Sequence, residues 1–109
     1  MERVYNKLVR DKIPNIIKNK GEEPIVKILN EEEYKIELEK KLYEEYQEVI
    51  SASGADRLEE LADMLEVIRA LAKLENNDLN DIIKIADEKN LKRGSFNDKI
   101  FLEKVIESE

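Results

Sequence analysis

Between Asn30 and Glu75 the chain is interrupted once, at Ser53-Gly54-Ala55, and contains no proline. On both sides of that break apolar residues recur at helical spacing, which predicts one helix from Glu31 to about Ala52 and another from Asp56 to about Glu75. Two long helices joined by so few residues must lie antiparallel as a hairpin. Asn30 ahead of Glu31-Glu32-Glu33 reads as an N-cap followed by acids that suit the helix dipole. Asp56-Arg57-Leu58-Glu59 has the spacing of a capping box.

Outside the hairpin, Pro14 and Gly21 bracket a short helix from Ile13 or Pro14 to about Lys20. Asp78-Leu79-Asn80-Asp81 opens a further helix to about Lys92 or Arg93, with Gly94 as its stop. Pro24-Ile25-Val26-Lys27-Ile28-Leu29 and the stretch from Lys99 to Ile106 are strand candidates that could pair into a small ribbon. With three glycines and two prolines in 109 residues there is little loop-forming material. The expected fold class is all-α, a helix hairpin or bundle core with that two-stranded ribbon beside it, as one domain over residues 1–109.

The chemistry is bounded by what is missing. Without cysteine there are no disulfides, thiolate zinc sites or cysteine nucleophiles, and without histidine the commonest neutral-pH base and transition-metal ligand is gone. A formal charge of -7 argues against a nucleic-acid polymer as partner. No apolar run approaches the roughly 20 residues of a membrane span, and Met1-Glu2-Arg3-Val4-Tyr5-Asn6-Lys7 lacks a signal-peptide core. A soluble, cytoplasmic protein is expected. No glycine-rich phosphate loop is present, so a P-loop or dinucleotide fingerprint is excluded.

Most charged positions on a helix form a solvated face, so the informative acids are those that fall inside an apolar arc. At about 100° per residue, Glu45 lies beside Leu38 and Val49, with Glu48 at the arc's edge and Glu44 further toward solvent. On the second helix Glu60 falls between Val67 and Leu71, while Asp63 shares a stripe with Val67, Ala70 and Leu74. Two inward pairs, Glu45-x-x-Glu48 and Glu60-x-x-Asp63, therefore converge across the hairpin. At an effective dielectric of ~20, two such charges ~6 Å apart repel by ~3 kcal/mol, so the cluster needs protons, cationic partners or a metal. An all-oxygen ligand set selects Mg²⁺, or Mn²⁺, over zinc and copper, and Mg²⁺ commonly completes its shell with substrate phosphates. The same acids could instead form ordinary ion pairs with Lys41, Arg57 or Arg69. Lys7, Arg10 and Lys12 form a basic run that could hold phosphates or simply balance charge, and Lys92-Arg93 could equally serve a helix C-terminus.

Tyr43-Glu44-Glu45-Tyr46-Gln47-Glu48 and, after eleven intervening residues, Glu60-Leu61-Ala62-Asp63 resemble the Glu-Glu-x-x-Glu and Glu-x-x-Asp signature of the MazG-like all-α nucleoside triphosphate pyrophosphatases. Tyr5-Asn6-Lys7-Leu8-Val9-Arg10-Asp11-Lys12-Ile13-Pro14 and Arg93-Gly94-Ser95-Phe96 are similar to the phosphoribosyl-ATP pyrophosphohydrolase-like branch of that superfamily. The resemblance implies Mg²⁺ held by Glu45, Glu48, Glu60 and Asp63, with Glu44 as an auxiliary acid. It also implies cleavage between the α and β phosphates of a nucleotide, in a homodimer or homotetramer that packs hairpins into bundles. In that scheme Glu45 or Glu48 is the catalytic base, and Lys7, Arg10, Lys12 and Arg93 neutralise the substrate's phosphates. General or house-cleaning nucleotide hydrolysis is favoured over a histidine-pathway role. From a different class, a non-catalytic helical interaction module or a nucleotide sensor could use the same scaffold.

Overall fold

A computed structural model describes residues 1–108. The described residues form four helices: α1 (Ile13–Asn19), α2 (Glu31–Ser51), α3 (Gly54–Leu74) and α4 (Leu79–Arg93). The fold is all-α, and its centre is the antiparallel α2–α3 hairpin. α4 touches only α3.

Local chemistry explains where the helices begin. The Asn30 side chain accepts from the Glu33 N–H at 2.8 Å while the Glu33 carboxylate receives the Asn30 N–H, a reciprocal cap for α2. Asp78 and Asp81 make the same exchange at the start of α4, with bonds of 3.0 and 2.9 Å. α3 starts two residues earlier than Asp56, so Asp56 and Glu59 do not form its cap. Gly54 has φ +58°, a left-handed geometry that costs glycine little. It lets the chain reverse over Ala52 and Ser53, and the Arg57 N–H already reaches the Ser53 carbonyl at 3.4 Å.

The expected ribbon is absent: among the described residues there is no strand. Lys99 is left-handed at φ +59° and closes a turn on the Phe96 carbonyl, which interrupts the second candidate at its first residue. Ile25, Val26 and Ile28 are exposed, so the β-branched run has neither a neighbouring strand nor a surface to pack on.

Very little of this chain is enclosed. Leu38, Val67 and Ala72 are the buried apolar residues, and Glu45 is the buried charged one, among the described residues. The accessible surface is 10398 Å², against about 6,300 Å² for a compact chain of this mass. The radius of gyration is 19.1 Å, where about 13 Å is usual for 100 residues. The reason lies after the hairpin: α4 meets only α3, residues 94–108 are exposed throughout, and the molecule measures 69 Å in its longest extent.

With so few enclosed side chains, each one carries much of the hairpin's stability. Leu38, 3% exposed, is the best buried. Leu38→Ala is expected to lower unfolding free energy by about 3 kcal/mol. Denaturant unfolding followed by circular dichroism measures this, and a loss below about 1 kcal/mol would place the hairpin's stability elsewhere.

Candidate functional site

α2 carries Lys41, Glu44, Glu45 and Glu48, and α3 carries Glu60 and Asp63 on the facing side. Carboxylate oxygens of Glu45, Glu60 and Asp63 lie within 4.8 Å of one another. Glu45 is 7% exposed, consistent with its position between Leu38 and Val49, whereas Glu60 and Asp63 are half-buried. Glu48 is exposed at the edge and is not one of the three closely grouped acids.

The basic segment before α1 crosses the hairpin at this point. Lys7 donates from Nζ to Glu44 Oε1 at 3.0 Å, and Arg10 donates from Nη2 to Asp63 Oδ1 at 2.8 Å. These contacts span 37 and 53 residues of sequence, so they fix a segment with no regular structure of its own against the helices. Lys41 adds a third cation, with Nζ 3.5 Å from Glu44 and 3.6 Å from Glu45. Its i, i+3 and i, i+4 relation to those acids marked it as an ion-pair partner, but its place inside the site follows from the burial of Glu45. Of the other basic residues weighed as partners, Arg69 pairs with Glu66 at 2.6 Å, and Arg57 donates to the Ala52 carbonyl at 2.9 Å.

Two expected phosphate-binding residues stand apart. Lys12 precedes α1 and makes no ion pair among the described residues. Arg93 lies in the last turn of α4, a helix that does not touch α2, and it forms no ion pair with the hairpin acids. Within one chain, therefore, Lys7 and Arg10 are brought to the acids and Arg93 is not.

The charge balance of the site is incomplete. Five carboxylates, from Glu44, Glu45, Glu48, Glu60 and Asp63, face three cations, from Lys7, Arg10 and Lys41, leaving two formal negative charges. Glu48 and Glu60 have no cationic partner among the described residues. Loss of hydration and the charges of Glu48, Asp63 and Glu45 together push the Glu60 carboxyl above its ordinary range. Glu44 responds in the opposite direction: partial loss of hydration raises it, but the Lys7 hydrogen bond and the Lys41 charge outweigh that and hold it below. Lys7 is correspondingly raised, first by its bond to Glu44. The donor set is all oxygen and carries a deficit of positive charge; Glu45, Glu60 and Asp63 are the residues that could hold a hard divalent cation.

These shifts have a definite sign in stability. An acid raised in the folded state gains stability as pH falls through the window between its unfolded and folded values, and opposes folding above it. Glu44, being lowered, supplies stability above its unfolded value that is lost on acidification through its folded one. In metal-free buffer Glu60→Gln is therefore expected to raise the thermal midpoint at neutral pH, with the advantage shrinking at pH about 4, where Glu60 itself is protonated. Thermal melts at the two pH values measure this, and a lower midpoint for the variant at neutral pH would contradict the repulsion.

Comparison of the chain with protein-family models, with curated proteins and with solved structures finds no match.

Proposed function

We propose that the chain is a Mg²⁺-dependent nucleotide pyrophosphohydrolase that cleaves the α–β phosphoanhydride of a nucleoside triphosphate or related nucleotide, releasing monophosphate and pyrophosphate. The observation that carries this reading is the grouping of Glu45, Glu60 and Asp63 oxygens within 4.8 Å, from two helices, in a chain without histidine or cysteine. The resemblance of the Glu44-to-Asp63 acids and of the Tyr5-to-Pro14 segment to the MazG-like pyrophosphatases supports the reaction class. Homo-oligomeric assembly, as a dimer or tetramer, belongs to the same reading and is supported by the small core and large apolar surface.

Bound by Glu45, Glu48, Glu60 and Asp63, Mg²⁺ (or Mn²⁺) would supply Lewis-acid polarisation of the phosphoryl oxygens. The chain's own residues account for the remainder. Water attacks the α phosphorus, the bond to the bridging oxygen breaks, and the electron pair leaves with pyrophosphate. The carboxylate of Glu45 takes the proton of that water; Glu48, one turn on at the rim, is the other acid in position to do so. Glu44 holds Lys7 over the site. Lys7 and Arg10 have their charged ends at the carboxylates, where they can exchange an acid for a phosphate oxygen and stabilise the departing charge. Lys12, two residues after Arg10, has no acid to hold it among the described residues and is the third phosphate-binding cation of that segment in this reading.

Incubation with Mg²⁺ and a panel of canonical, deoxy and damaged nucleoside triphosphates plus phosphoribosyl-ATP, with chromatographic separation of products, tests this reading. The expected products are monophosphate and pyrophosphate, with the rate falling by about 100-fold or more in Glu45→Gln. Diphosphate and phosphate as products would overturn the cleavage position. No turnover by folded, Mg²⁺-binding protein would favour a nucleotide sensor, and absence of metal binding as well would favour an interaction module.

A further inference from the structure

Among the described residues the segment after α4 packs on no helix of its own chain, and α4 itself meets only α3. α4 exposes Ile82, Ile83 and Ile85 and touches only α3. Beyond it, Ile100, Phe101, Leu102, Val105 and Ile106 are 73–87% exposed. Among the described residues after Gly94, the one backbone hydrogen bond is the turn from the Lys99 N–H to the Phe96 carbonyl. With Phe96, also exposed, the segment holds six large apolar side chains in water, without a ladder or helix, and has nothing in its own chain to offset the entropy of ordering it.

The hairpin offers a matching surface. On α3, Leu58, Leu61, Leu65 and Ile68 recur at alternating steps of three and four, forming a stripe distinct from the acidic face turned to α2. Leu61, Ala62, Met64, Leu65 and Ile68 line an apolar groove there of about 340 Å³. Leu58, Leu61 and Leu65 are 69%, 43% and 42% exposed.

We propose that residues 95–106 of one copy, led outward by α4, dock in the α3 groove of a second copy, and that the exchange is reciprocal about a two-fold axis. Area argues for a second copy as the occupant. The chain exposes 10398 Å² where about 6,300 Å² is usual, an excess of about 4,000 Å². Obligate dimer interfaces bury about 1,000–2,500 Å² per partner, so the excess can supply such an interface. A two-fold exchange covers arm and groove on both copies at once, since each residue contact is made twice. Within the chain, α4 meets α3 alone among the helices, and the arm's apolar side chains are exposed rather than seated in their own chain's groove. The exchange stands on apolar complementarity alone and does not depend on whether the acidic site is catalytic.

Intermolecular paramagnetic broadening tests it directly. The chain has no cysteine, so Glu103→Cys carries a single nitroxide on the arm. Unlabelled, nitroxide-bearing Glu103→Cys is co-refolded with isotope-labelled native chain, and sedimentation gives the mass of the mixture. The expected result is a dimer in which the labelled copy's amides broaden along residues 58–68. Phe101→Glu, remote from the hairpin core, should weaken dimerisation at least about tenfold with helix content unchanged. A monomer at micromolar concentration, a dimer whose broadening lies away from α3, or a Phe101→Glu dimer of native affinity would each overturn the proposal.

Discussion

The mutual repulsion of carboxylates gathered across the α2–α3 hairpin is the constraint around which this chain is arranged. Glu45 sits where a leucine would otherwise pack, and Glu60 and Asp63 point toward it from the facing helix. Such a grouping would drive the helices apart unless cations approached. Lys41 answers from within α2, while Lys7 and Arg10 answer from the segment ahead of α1, which is thereby fastened across the hairpin. On the proposed function, two of the groups that make the site electrically tolerable, Lys7 and Arg10, are also those that meet the substrate's phosphates.

That arrangement leaves two deficits, one of charge and one of apolar cover. The acids outnumber their cations by two, and loss of hydration together with the neighbouring carboxylates raises Glu60. The core holds three buried apolar residues, while α4 and residues 95–106 reach outward with theirs exposed. A divalent cation would answer the first deficit and a second copy of the chain the second. The two are separable, because the acidic face of α3 and its apolar groove lie on different sides of the same helix.

Much of this was legible from residue spacing, and the remainder depended on contacts that spacing does not encode. The long helices, the cap at Asn30, the opening of α4 at Asp78–Asp81, and the inward placement of Glu45, Glu60 and Asp63 follow from a 3.6-residue period and local hydrogen bonding. The start of α3 was misplaced because Gly54 supplies a positive φ that capping patterns do not report. The ribbon failed because β-branched composition describes a surface that needs a neighbour, and neither Pro24–Leu29 nor the Lys99 segment has one. Which acid receives Lys7 or Arg10, and that α4 carries Arg93 away, are matters of tertiary direction across dozens of residues. No local pattern holds that information.

The most direct test of the central claim is Mn²⁺ binding followed by electron paramagnetic resonance, with Mg²⁺ as competitor, in native chain and in Asp63→Asn. If the converging acids form a divalent-cation site, one Mn²⁺ per chain binds saturably, Mg²⁺ displaces it, and Asp63→Asn weakens it by about tenfold or more. Binding that does not saturate, or that is equally strong in Asp63→Asn, would show that the acids of the hairpin are balanced by Lys7, Arg10 and Lys41 alone.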